Sequence, residues 1–108
     1  MGSPENIRLS TTTKLVLEAL LAEESLYGLE VCRATGLATG TVHPILARLE
    51  RARWVTSAWE SVDPSAVGRP ARRYYRLTPE GAQAATRALA SSKHRRPGER
   101  AALARAWA

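Results

Sequence analysis

Phenylalanine is absent from the 108-residue chain, and aromatic residues of any kind make up only 6% of it. Leu, Val and Ala must therefore supply most of the packing, and an apolar share of 44% suffices for one compact domain with one core. Cysteine occurs once, at Cys32, which excludes an internal disulfide. With only two histidines in the chain, that cysteine cannot complete a zinc-finger or CxxC site, so no metal and no cofactor are expected. Its expected place is that of a small buried hydrophobe rather than a redox sensor. No apolar run approaches the ~20 residues of a membrane span. Met1 to Ser10 is polar and lacks a signal-peptide core, so a cytoplasmic protein is expected. Acidic residues are the minority, ten against sixteen Lys and Arg, for a formal charge of +6. That balance favours a polyanionic partner, either nucleic acid or an anionic membrane surface.

Catalytic groupings are missing as well. No glycine-rich phosphate loop follows a strand, no paired carboxylates stand out, and His43 and His94 lie far apart. Enzyme activity is not expected.

The chain reads as a succession of short elements after a loose segment, 1–10. Thr11, Thr12 and Thr13 are candidate caps for a first helix with Leu17, Leu20 and Leu21 at helical spacing. Ser25 can cap a second helix, Leu26 to Ala34, with Leu29 and Cys32 inward. Gly36 supplies the positive φ that ends it, and Leu37 anchors the turn. Thr39 or Thr41 then caps a third helix that runs to about Arg53. Pro44 fits a helix only in its first turn, so this helix either starts near Thr41 or begins bent. Two helices joined by a short Gly-containing turn describe a helix-turn-helix.

Trp54 to Ser61 reads as a strand, Asp63 to Pro70 as a breaker-rich loop, and Ala71 to Leu77 as the return strand. Together they form a β-hairpin wing. Thr78-Pro79-Glu80 is a sharp start for a fourth helix through Leu89. Ser91 to Gly98 is polar, and Glu99 to Trp107 could form one further short helix. The expected fold is mainly α with a small β-hairpin. A winged helix-turn-helix domain spans 11–78, and a C-terminal helical dimerisation region spans 79–108.

The third helix carries the strongest functional pattern. At 100° per residue, Val42, Ile45, Leu46 and Leu49 gather on one side, while Gly40, His43, Pro44, Ala47 and Arg51 gather opposite. Thr41 and Arg48 lie on a flank. The second face is small or hydrogen-bonding near its start and cationic further along, which suits a helix entering a major groove N-terminus first. The wing adds Arg69, Arg72, Arg73 and Arg76, with no acid among them, for phosphates or a minor groove. The candidate DNA-binding set is therefore Thr39, Gly40, Thr41, His43, Pro44, Arg48, Arg51, Arg69, Arg72 and Arg73. Apolar surplus on the first helix and beyond the wing marks Leu17, Leu21, Leu89, Leu103 and Trp107 as candidates for a homodimer interface. A different class of function, a winged module that binds protein or RNA without operator specificity, fits the same fold. It would be expected to expose apolar residues on the third helix.

Leu26-Tyr27-Gly28-Leu29-Glu30, Gly40-Thr41-Val42-His43-Pro44-Ile45-Leu46, Gly68-Arg69-Pro70 and Arg73-Tyr74-Tyr75-Arg76-Leu77-Thr78-Pro79-Glu80-Gly81 resemble the PadR family of bacterial transcriptional regulators, over residues 12 to 90 or so. The resemblance implies a homodimer on a palindromic operator in double-stranded DNA, usually a repressor. It also implies a C-terminal dimerisation helix and release by a small aromatic or drug-like effector near the dimer interface. The chain departs from the family pattern at His43, where Tyr is common, and at Leu29, where an aromatic is common.

Overall fold

A computed structural model describes residues 9–90. The N-terminal segment up to residue 8, the basic stretch after Ser91, the short helix expected over Glu99 to Trp107, and with it Leu103 and Trp107, lie outside the described residues.

Helix α1 covers Thr11–Ala22. Its cap is Ser10, one residue before the threonines expected there, and the Thr13 backbone N–H donates to Ser10 Oγ at 3.2 Å. Thr13, Val16, Leu17 and Leu20 recur at i, i+3, i+4 and i+7 and are all buried, as a single core-facing stripe requires.

The chain then departs from the expected second helix. Leu26–Tyr27 forms a short strand, β1, and helix α2 spans only Gly28–Thr35. Ser25 is exposed and caps nothing. Instead, Glu30 reaches back to accept the Tyr27 N–H at 3.1 Å, so the start is set from inside the helix. Val31 is the fully buried residue of α2, and Leu29, expected inward, is 52% exposed. Two residues apart means 200° around the helix, so turning Val31 to the core turns Leu29 away from it. Cys32 is half-buried and packs against the core edge. Gly36 ends α2 with φ 75°, and its N–H returns to the Cys32 carbonyl at 2.8 Å.

Helix α3 spans Thr39–Arg51. Neither Thr39 nor Thr41 caps it. The cap is Ala38, whose carbonyl accepts from Thr41 and Val42, both at 3.0 Å. Pro44 thus lies beyond the first turn of a helix that starts before Thr41. Its missing N–H leaves the Gly40 carbonyl without the usual helical donor.

The end of α3 is a tight reversal. Arg53 adopts φ 68° and its N–H donates to the Glu50 carbonyl, while the Trp54 N–H donates to the Leu49 carbonyl. This double closure usually has glycine at the left-handed position. Arg53→Gly is accordingly expected to raise stability by up to about 1 kcal/mol, since a side chain there costs about that much. Thermal unfolding checks it, and a lower midpoint would count against the strain.

Strand β2, Val55–Trp59, pairs antiparallel with β3, Arg73–Leu77, placing Val55 opposite Leu77 and Trp59 opposite Arg73. Strand β1 pairs with the other edge of β3, Leu26 opposite Tyr75 and Tyr27 opposite Tyr74. The expected hairpin is therefore a three-stranded sheet with β3 in the centre. The breaker-rich loop contains a one-turn helix, α4, over Pro64–Val67. Asp63 caps it through the Ser65 N–H, and Gly68 closes it at φ 73°.

Helix α5, Pro79–Ala90, starts where the sequence predicts. Thr78 Oγ1 accepts the Gly81 N–H at 2.8 Å, and the Thr78 backbone N–H donates to the Trp54 carbonyl at 2.9 Å. One core unites Val16, Leu17 and Leu20 with Val31, with Val42, Ile45, Leu46 and Leu49, and with Trp54, Val55 and Ala85.

Candidate nucleic-acid interface

The two faces of α3 separate as the sequence predicts. Val42, Leu46 and Leu49 are fully buried and Ile45 nearly so. Thr39, Gly40, His43, Pro44, Ala47, Arg48 and Arg51 are exposed, and Thr41 is half-buried. The core thus grips one side of α3 and presents the other as a continuous surface, with a glycine, a histidine and a proline near the start and arginines towards the end. The His43 ring leans on the start of α2. A Cβ added to Gly28 would stand 3.0 Å from His43 Cε1, so glycine at that position gives the imidazole its seat.

The arginines of the wing are not equivalent. Arg69 grips Glu60 with both terminal nitrogens, at 2.7 and 3.0 Å. The Arg69 guanidinium, and after it the Arg72 backbone N–H, hold the Glu60 carboxyl down at about 2, against an opposing push from partial burial. The pair is charged throughout the working pH range, and the Arg69 charge is largely cancelled on the spot. Arg72 is half-buried, with its guanidinium carbon 4.2 Å from the centre of the Tyr27 ring. Tyr27 in turn meets Tyr74 edge-on at 5.5 Å. Arg73 is exposed; its Nε donates to Ser57 Oγ at 2.9 Å, Ser57 donates to Glu50 at 2.6 Å, and a terminal nitrogen of Arg73 meets Glu50 Oε2 directly at 3.4 Å. Trp59, 64% exposed, lies beneath the Arg73 guanidinium at 5.5 Å.

Five residues of this surface, Tyr27, Glu50, Ser57, Trp59 and Glu60, were not among the candidate DNA-binding residues. Only Glu60 left a usable trace. It follows Trp59, whose hairpin partner is Arg73, so register alone puts it next to Arg72. The others depend on how α2, α3 and the sheet dock.

Residues 16–87 match the model of the Transcriptional regulator PadR-like family. The chain belongs to that family. Membership places it among regulators of transcription that bind DNA and not among enzymes. No curated protein matches the chain. Among solved structures, a PadR family regulator from Eggerthella lenta is 27% identical at a TM-score of 0.62, covering 75% of this chain and 70% of the other. BpsR of Bordetella bronchiseptica, whose DNA binding is regulated by 6-hydroxynicotinic acid, reaches a TM-score of 0.69 at 20% identity, over 90% of this chain and 71% of its own. A PadR family regulator from Clostridium difficile aligns at 0.66 and 22%, over 79% and 90%. The likeness to the last two is one of fold, the winged helix-turn-helix.

The remaining expected positions of this PadR-like regulator divide by burial. Leu17 is completely enclosed by its own chain and has no surface left for a second one, which corrects its expected place in a dimer interface. Leu21 is 39% exposed and Leu89 half-buried. No group of three or more potential metal ligands occurs among the described residues, and no described helix is long and apolar enough to cross a membrane.

Proposed function

We propose that this PadR-like regulator is a cytoplasmic homodimeric repressor that binds a palindromic operator in double-stranded DNA. The observation that carries the reading is the division of α3. Four apolar residues are buried on one side, and Gly40, His43, Pro44, Arg48 and Arg51 stand exposed on the other. In this reading α3 enters the major groove N-terminus first. Thr41 and His43 meet base edges or phosphates, Gly40 and Ala47 leave room for close approach beside Thr39 and Pro44, and Arg48 and Arg51 reach phosphates or guanine. Arg72 and Arg73 on the wing contact the flanking backbone. Arg69, drawn off by Glu60, contributes less charge than the sequence alone suggests.

Binding tests separate positioning from reading. Arg73→Ala is expected to weaken binding to operator and random duplex alike, because phosphate contacts carry little sequence information. Thr41→Ala and His43→Ala are expected to lower discrimination, by ~1–3 kcal/mol where a good base contact is lost. The measurement is competition between DNA from upstream of the chain's own gene and a random duplex. An unchanged specificity ratio in both variants would show that α3 does not read the sequence.

The dimer in this proposal uses 11–78 for DNA and joins its copies through α1 and the region 79–108, with Leu21, Leu89, Leu103 and Trp107 in the interface. Twofold symmetry sets two copies of α3 on successive major grooves. Sedimentation of the full chain is expected to give a dimer at micromolar concentration, and a chain ending at Ser91 a weaker one. A full-length monomer rejects the interface. A small aromatic or drug-like effector completes the reading. Support comes from the fold neighbours: BpsR responds to 6-hydroxynicotinic acid, and NadR was solved with 4-hydroxyphenylacetate.

A further inference from the structure

An acid on a surface that faces DNA repels phosphate, and simple electrostatics makes it a liability. Glu60 stands on such a surface, next to Arg72 and Arg73. Yet its side chain is only 16% exposed, and each of its oxygens is engaged. Oε1 accepts from Arg69 at 2.7 Å and from the Arg72 backbone N–H at 3.1 Å, and Oε2 accepts from Arg69 at 3.0 Å. The Glu60 backbone N–H donates to the Arg72 carbonyl at 2.7 Å. Glu60 and Arg72, twelve residues apart, are thus tied by backbone and side chain together. Arg69 is itself fixed, since its N–H returns to Pro64 of α4 and its guanidinium also donates to the Pro70 carbonyl. Next to this knot the Arg72 guanidinium lies over the ring of Tyr27, the residue that opens α2.

We propose that Glu60 is a positioning residue for DNA binding: it clamps Arg69 and the Arg72 backbone so that the neck of the wing presents Arg72, lying over Tyr27, to the duplex. The inference rests on the DNA-binding reading above. The Glu60–Arg69 pair contributes little net charge, and its work is to fix shape. Without the clamp the Arg72 N–H loses its side-chain acceptor, the neck loosens, and the wing must be ordered anew each time DNA binds, which costs affinity.

The test sets charge against shape. Glu60→Gln removes a negative charge and by charge alone should tighten binding. Arg69→Lys keeps its charge and by charge alone should change nothing, but lysine cannot reproduce the two-pronged grip. Under the clamp both variants of the full-length protein bind more weakly, by about tenfold. Both also show a shallower salt dependence as the Arg72 contact is lost, and the double variant is no weaker than the weaker single one. The probes are a duplex from upstream of the chain's own gene and a random duplex of equal length. Circular dichroism melts of each variant confirm that it is folded, and Arg69→Lys carries the test if Glu60→Gln fails to fold. Equal or tighter binding by folded Glu60→Gln, or unchanged binding by Arg69→Lys, overturns the inference while DNA binding by the wild type stands. Absence of wild-type binding to either duplex overturns both.

Discussion

Gly81→Ala is expected to lower stability by about 3 kcal/mol or more, a fall in Tm of roughly 15 °C for a domain of this size. The first turn of α5 runs directly over the start of β2. A Cβ on residue 81 would lie 2.6 Å from the carbonyl carbon of Trp54 and 2.7 Å from its Cα, and closer still to the carbonyl oxygen. These are backbone atoms, which no change of rotamer can move. The same Trp54 oxygen accepts the Thr78 N–H, so pushing it aside also undoes the cap of α5. The control is Gly40→Ala. A Cβ at Gly40 meets nothing within 4 Å, so this change is expected to leave the fold as stable or make it more so by up to about 1 kcal/mol. Thermal unfolding of the two variants decides the point. Equal midpoints would mean that the α5–β2 approach is looser than described.

The second large effect is on affinity. Arg48, Arg51, Arg72 and Arg73 on each protomer give a dimer about eight candidate phosphate contacts, and each contact adds about −0.9 to the log–log slope of affinity against salt. Between 50 and 200 mM salt the binding constant is then expected to fall by roughly 10³ to 10⁵. Arg69 is left out of the sum because Glu60 holds its guanidinium with two short bonds, whereas Arg73 meets Glu50 only at 3.4 Å and is more exposed, so it stays in. A titration by fluorescence anisotropy at several salt concentrations measures the slope. A nearly flat response would remove the electrostatic part of the proposed function. A much steeper one would mean that further cations join, with Arg76 and its long 3.4 Å pair to Glu24 first among them.

How much of this was legible beforehand follows from the range of the forces involved. The sequence by itself determined α1, α3 and α5, the Gly36 turn and the Thr78 cap. Each depends on residues within one or two helical turns of one another: the apolar stripe of Val42, Ile45, Leu46 and Leu49, the positive φ that glycine adopts without strain, the hydroxyl set before a proline. The exposed face of α3 was legible for the same reason, since burying one stripe leaves the opposite one outside. Tertiary structure alone decided that Leu26–Tyr27 leaves the helix, because the free edge of β3, far along the chain, offers hydrogen bonds that no local propensity reveals. It also decided which apolar residues were spare, enclosing Leu17 and turning Leu29 outward as Val31 took the core. It divided the wing arginines into one gripped by Glu60, one lying over a tyrosine and one joined to Glu50 of α3 both directly and through Ser57, because charge count is additive along a sequence whereas a guanidinium's partner depends on where the fold puts it.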